Sequence, residues 1–280
     1  MKIVLFETPN AAAAQYGLLT SQGLAPFDDL LEGDTPQDRL QHLIDSFDTL
    51  RPRLTDLAAT ASPVPLDSVR LLPPVPWPGE ILITTASYTN DPSQPLLATL
   101  KSPESVIGPD DTVRLPDVDS NWQFLPQAML GLVIRGPARN VAGNNWHTAV
   151  FGYTCVVDVM ARGDQQFGRD FWLAKSDTLG PLGPCIVTTD ELADPTSLRV
   201  RSRHNGSPAQ DFLIAQASHS IPDQVQFTTT VMTLHSGDIL ACGTSPVGVR
   251  PLTDGDSVEV EIEPIGRLSV KVAAPVRSTA

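Results

Sequence analysis

Cysteine is scarce in this chain of 280 residues, and Cys155, Cys185 and Cys242 stand far apart with no Cys-x-x-Cys spacing. That excludes a zinc ribbon and a disulfide framework, and it fits a reducing compartment. Long apolar runs are missing too. The run from Ile3 to Phe6 stops at Glu7, too short for a signal-peptide core, and nothing approaches the ~20 apolar residues of a membrane span. Positive charge is also short: 19 Lys and Arg stand against 32 Asp and Glu, a formal net charge of -13 without a basic cluster. Nucleic acid and anionic membrane are thereby poor partners, and the expectation is a cytoplasmic protein.

What is present is a globular composition. Hydrophobic residues make up 41% and charged residues 18%, too apolar for a disordered chain, and the length allows one large domain or two unequal ones. Residues 2 to 6 read as a strand. Thr35 reads as an N-cap with Pro36 at the first helical position, followed by Leu40, Leu43, Ile44 and Phe47 at helical spacing. Six prolines between Ala61 and Gly79 forbid regular helix and mark a boundary near residue 70, giving a small N-terminal domain over 1–70 and a second over 71–280.

Beyond that boundary the signals are mostly β. Ile81 to Ile83 and Leu132 to Ile134 look like buried strands. Val258, Val260 and Ile262 alternate with Glu259, Glu261 and Glu263, and Leu268, Val270 and Val272 alternate after a Pro264-Ile265-Gly266 turn, so 257–272 reads as a hairpin with its glutamates solvated. Ser220 to Asp223 reads as a second helix start, weakened by Thr228-Thr229-Thr230.

Six stretches carry a resemblance when taken in order: KSPESVIGPDDTVRLP from Lys101, VIRGPARNV, FGYTCVVDVMARGDQQ from Phe151, AKSDTLGPLGPCIVT from Ala174, MTLHSGDILACGTSPVGV and GDSVEVEIEPIG. Over about residues 72 to 272 the chain resembles the fumarylacetoacetate hydrolase family. The resemblance implies an α+β, mostly β fold, a mixed β roll with a small N-terminal α/β domain, usually as a homodimer. It also implies a divalent-metal site in the mouth of the roll. Members cleave carbon–carbon bonds in 1,3-dicarbonyl acids, or decarboxylate, hydrate or isomerise related oxo acids.

The family pattern supplies a Glu-x-Glu pair and a later aspartate as ligands for Mg²⁺ or Mn²⁺. Asp158 takes the aspartate's place, but the glutamates fall on Gln127 and Met129, and no glutamate occurs between Glu104 and Glu191. An amide and a soft thioether cannot replace anionic oxygen ligands, so the expectation is no metal and no other cofactor. The family's His-Glu dyad is missing as well. Asp91 stands in the histidine's place and Gln94 in the glutamate's, after Ser87-Tyr88.

Other positions survive the comparison. Lys175 matches a lysine that faces the metal site, and Gln165 and Thr244 match residues that hold substrate oxygens. Loss of a dication together with two glutamates leaves the pocket's charge balanced, with Asp158 facing Lys175, a condition any folded variant would meet. The resulting expectation is a metal-independent isomerase, cyclase or lyase of specialised metabolism, acting on an enolisable β-dicarbonyl or polyketide-like substrate. Lys175 would stabilise an enolate and Asp91 or Asp158 would carry protons.

Blander readings stay open beside it. Asp158 with Lys175 can be a structural ion pair, Asp91 before Pro92 a turn residue, and Tyr88 and Trp122 pocket wall or core. Gln127 and Met129 would then be lining, and His219 a satisfied, partly buried histidine rather than a new acid or base. The competing functions are an inactive pseudoenzyme or binding subunit of the same fold, and an ordinary Mg-dependent carbon–carbon hydrolase.

Overall fold

A computed structural model describes residues 1–9, 13–85, 87–89, 91, 93–118, 121–163 and 172–275. The chain opens with β1 (Lys2–Glu7), β2 (Gln15–Thr20) and β3 (Gly23–Pro26), then α1 (Pro36–Asp45) and α2 (Phe47–Thr60). The Thr35 side chain accepts from the Asp38 amide while the Asp38 carboxylate accepts from the Thr35 amide, so the expected cap closes as a reciprocal box ahead of Pro36. Leu40, Leu43 and Ile44 are fully buried, as the spacing requires.

The remainder is strand-rich: β4 (Arg70–Leu72), β5 (Ile81–Thr85), β6 (Leu97–Lys101), β7 (Val106–Ile107), β8 (Thr112–Arg114), β9 (Gln123–Ile134), β10 (Val150–Arg162), β11 (Gly180–Thr188), β12 (Arg199–His204) and β13 (Ser207–Leu213). After them come α3 (Ile221–Val231), β14 (Ile239–Ala241), β15 (Ser257–Ile262) and β16 (Gly266–Ala273). Helix α3 starts at Ser220 with the same capping box, and its threonines are accommodated because Thr228 and Thr229 hydroxyls donate back to the Gln224 and Val225 carbonyls.

Two sheets result. The larger runs β3-β2-β1-β11-β10-β9-β14-β5-β6, with β4 beside β1 and β7 beside β11; the smaller runs β13-β12-β15-β16-β8. Strand β1 pairs antiparallel with β11 through Ile3 and Ile186, so the large sheet crosses the boundary near residue 70 without a break. Strands β9 and β10 form its longest ladder and are buried on both faces: Leu130, Leu132 and Ile134 enter one core cluster, Met129 and Val133 the other. That explains their continuous apolar runs. The smaller sheet keeps one wet face, where Glu259 and Glu261 meet Arg203 and Arg267 at 3.3 to 3.8 Å, surface pairs of small energetic weight.

The large sheet is strongly curled. Strand β6 stands four places from β10 in the ladder order, which a flat sheet would put about 19 Å apart at ~4.8 Å per strand. Yet Lys101 of β6 touches Asp158 of β10, and β7, which follows β6 closely, pairs with β11. The sheet therefore rolls until its far edge returns to its centre. No helix among the described residues is long and apolar enough to cross a membrane.

The smaller sheet carries its own electrostatic latch. His204 Nε2 lies 2.9 Å from Asp256 Oδ2, Asn205 Nδ2 donates to Oδ1 at 2.7 Å, and the Thr253 amide and hydroxyl donate to Oδ2. Partial burial pushes the Asp256 carboxyl up, but these donors outweigh it and hold the group down at about 2. A carboxyl depressed on folding stabilises the native state fully above its ordinary value of 3.8 and ceases to do so as pH falls through about 2. The Asp256→Asn variant should therefore show a flatter acid limb between those values when unfolding free energy is measured by urea titration; an unchanged slope would contradict the assignment.

Candidate functional site

The curl of the large sheet leaves two connected hollows. The wider, of about 740 Å³, is lined by Tyr88, Asp91, Gln127, Met129, Arg162 and Thr244 among others. The narrower, of about 150 Å³, is lined by Lys101, Asp158, Ala174 and Lys175. Thr85 and Met160 line both. The pairing of β9 with β10 explains the grouping: Gln127 lies opposite Asp158 and Met129 opposite Val156, while Asp158, Met160 and Arg162 share one face at period two.

Asp158 is the buried charge at the centre, and its ion-pair partner is Lys101, not Lys175. Lys101 Nζ lies 2.6 Å from Asp158 Oδ1, with side-chain exposures of 3% and 7%. The same ammonium donates to the Val159 carbonyl at 3.2 Å and the Ala174 carbonyl at 2.9 Å. An ammonium has three donors, so Lys101 is saturated. The expectation of Lys175 opposite Asp158 is corrected accordingly: β6 reaches Asp158 first because the sheet closes on itself there. Lys175 lines the same recess, where partial burial lowers its pKa, the like charge of Lys101 lowers it further, and Asp158 partly counters both.

The metal positions implied by the resemblance do not fit a hard dication. One Asp158 oxygen is taken by an ammonium, the Gln127 amide contacts the Met160 sulfur at 3.9 Å and nothing else among the described residues, and Met129 is fully buried within an apolar cluster. No cluster of three or more His, Cys, Asp or Glu suited to a metal occurs among the described residues. Two cations and one carboxylate now occupy the place where a metal cage would need several oxygens.

The other sequence candidates fall as follows. Tyr88 packs edge-on against Phe212 at 4.8 Å, and burial, aided by the Cys242 thiol, pushes its phenol well above the ordinary range, so it stays neutral. Its hydroxyl is buried without a hydrogen-bond partner among the described residues. Asp91 lines the wide hollow, but its Oδ1 accepts from both the Ser93 amide and the Ser93 hydroxyl at 3.0 and 2.6 Å, which hold its pKa down. That is the turn geometry of an Asx residue, and it makes a weak base. Trp122 is buried in the core.

His219 is turned away from the chemistry. Its Nε2 lies 3.0 Å from the Gln94 carbonyl, tying the entry of α3 to the loop after Asp91, and it does not line either hollow. Gln165 lies outside the described residues. Thr244 sits on the turn after β14, where Gly243 adopts φ +72° and approaches Ser87 so closely that a Cβ would meet its hydroxyl at 2.6 Å.

Sequence reasoning missed two cations. Lys101 and Arg162 both lie inside stretches quoted for the resemblance, yet their placement depends on long-range closure and on the inward face of β10. Arg162 lines the wide hollow and forms no ion pair among the described residues.

Comparison with known proteins places these features in context. Residues 81–273 match the model of the fumarylacetoacetate (FAA) hydrolase C-terminal family. Human oxaloacetate tautomerase FAHD2B, a mitochondrial protein, is 31% identical over 97% of this chain and 91% of its own length. The crystal structure of maleylpyruvate hydrolase from Sphingobium sp. SYK-6, in complex with manganese(II) and pyruvate, superposes with a TM-score of 0.87 at 30% identity, covering 98% of this chain and all of that one. A 5-carboxymethyl-2-hydroxymuconate delta-isomerase from Mycobacterium smegmatis gives 0.76 at 27% identity, with 98% and 100% coverage.

The buried pair sets a stability test. In Lys101→Met the Asp158 carboxylate is left buried and unpaired, which should cost roughly 3–5 kcal/mol, and Lys101→Met with Asp158→Leu should recover most of it. Urea unfolding of both variants checks this. A single variant within about 1 kcal/mol of the parent would show the pair to be unimportant.

Proposed function

This chain belongs to the fumarylacetoacetate hydrolase family, and from that premise we propose that it is a metal-independent keto–enol isomerase acting on a small β-oxo acid. The observation that carries the proposal is the saturation of Lys101 by Asp158 and two carbonyls, which fills the metal position with a fixed ammonium while leaving Lys175 in the recess. Tautomerase and isomerase relatives support the isomerase branch over cyclase or lyase chemistry. A hydrolase among the relatives keeps carbon–carbon cleavage as the neighbouring alternative.

The roles follow from charge. An enol becomes a ketone when its hydroxyl loses a proton and the adjacent carbon gains one, with an enolate between. The Lys175 ammonium stabilises that enolate oxygen by a charge-assisted hydrogen bond. Asp158 Oδ2, which takes no hydrogen bond from the described residues, accepts and returns the proton. Arg162, which lines the wide hollow from the same face of β10 as Asp158, suits a substrate carboxylate, and Tyr88 and Phe212 provide an apolar side. Because no Lewis acid is needed for this proton shift, the reaction is within reach of two cations and one carboxylate.

The openness of the wide hollow supports catalysis over an inert scaffold, in which Met129 would close the space. Oxaloacetate is the first probe, since the tautomerase relatives carry it in their names. Conversion of its enol, followed by ultraviolet absorbance after exhaustive EDTA treatment, should exceed the protein-free rate and rise less than about twofold on addition of Mg²⁺ or Mn²⁺. Lys175→Met should lower kcat by about 10²-fold or more. The parent rate should also fall with rising pH at a value below the ordinary lysine 10.5, where the ammonium is lost. Strict dependence on added metal would reject the proposal.

A further inference from the structure

The chain contains only four lysines, and two of them share the narrow recess. Lys2 lies on β1 and Lys271 on β16, and neither lines a hollow. The two in the recess are not equivalent. All three donors of Lys101 are spent, on Asp158 Oδ1 and on the Val159 and Ala174 carbonyls, so it is held as an ammonium and keeps no lone pair for a reaction.

Lys175 meets different surroundings. It is half-buried, and Thr85 and Met160, which border its recess, also border the wide hollow, so a ligand in the hollow can extend to it. Ile83, Leu100, Met160 and Ala161 make much of the recess wall apolar. An apolar wall beside a second, fixed cation favours a neutral amine over an ammonium, which is the setting that turns a lysine into a nucleophile. The Lys175 pKa is lowered accordingly, first by partial burial and then by Lys101, with Asp158 countering both. Asp158 completes the set, with Oδ1 committed to Lys101 and Oδ2 left to move protons.

We propose that Lys175 is a covalent site whose amine condenses with the ketone of an oxo acid, so that the resulting iminium serves as the electron sink of the recess. The nitrogen lone pair forms a bond to the carbonyl carbon, and the carbonyl electron pair moves to oxygen. One nitrogen proton passes to that oxygen through Asp158, a further proton follows from solvent, and water leaves. Amine, ketone and one proton have then become an iminium and water, with no oxidant or reductant.

The iminium weakens the bonds of the carbon beside it. The electron pair of such a bond moves into a C=C bond while the C=N pair returns to nitrogen, giving a neutral enamine. A hydrogen on that carbon is lost to Asp158 and exchanges with solvent. A carboxylate there leaves as carbon dioxide, and Asp158 returns the proton that replaces it. Water then releases the ketone and restores the amine. This goes beyond the isomerase reading, which uses Lys175 only as an ammonium.

Pyruvate is the probe, with sodium cyanoborohydride supplying the hydride that reduces the iminium carbon and fixes it as a secondary amine. After digestion of the full chain, mass spectrometry should find a carboxyethyl group on Lys175 at about 10²-fold the level on Lys2 or Lys271, the worth of a positioned acid–base group. Lys175→Arg keeps the positive charge without a nucleophilic amine, and should lose that label. Exchange of the pyruvate methyl hydrogens in D₂O, followed by proton NMR, should also fall about 10²-fold in this variant. No label on Lys175 of the parent, equal label on Lys2 and Lys271, or exchange that survives Lys175→Arg would overturn the covalent site. Turnover of enol oxaloacetate without label on Lys175 overturns the covalent site alone. Label on Lys175 without that turnover supports the site and overturns the isomerase reading.

Discussion

The contact between Lys101 and Asp158 is the constraint around which the rest of the site is organised. Two opposite charges, both almost wholly removed from water, meet at 2.6 Å across the seam of a rolled sheet. Each is expensive to bury alone, and together with the Val159 and Ala174 carbonyls the ammonium's donors are fully used. Strand β6 is thus tied to β10, and Ala174, next to Lys175, is tied to both.

The same contact decides the available chemistry. A carboxylate that shares one oxygen with an ammonium is a poor ligand for a dication, and the neighbouring amide and thioether cannot compensate. What is left is electrostatic: a partly buried ammonium with a lowered pKa beside Asp158 in the narrow recess, and a guanidinium that lines the wide hollow from the same face of β10. Such a set can stabilise an enolate and move a proton, which is the least demanding of the reactions associated with this family.

Local features were legible in the sequence because they depend on a few adjacent residues. The Thr35 and Ser220 caps, the proline-rich passage and the 257–272 hairpin all arise from capping, φ restriction or period-two alternation, which operate over short spans. Motif order pointed to the hollows: Asp158 and Lys175 line the narrower, and Gln127, Met129 and Thr244 line the wider. The partner of Asp158 was not legible. Lys101 lies 57 residues away, and their meeting depends on how far the sheet curls. His219 and Asp91 each carried two readings in the sequence, and their polar atoms have local partners, the Gln94 carbonyl and Ser93, that sequence spacing does not reveal.

The central claim is that an ammonium, not a dication, neutralises Asp158. Manganese(II) paramagnetic resonance tests it most directly, because the aqua ion gives a six-line spectrum that disappears when the ion enters a protein site. Titration of metal-stripped protein with Mn²⁺ should leave that signal at full intensity. Stoichiometric loss of the signal, abolished by Asp158→Asn, would contradict the account.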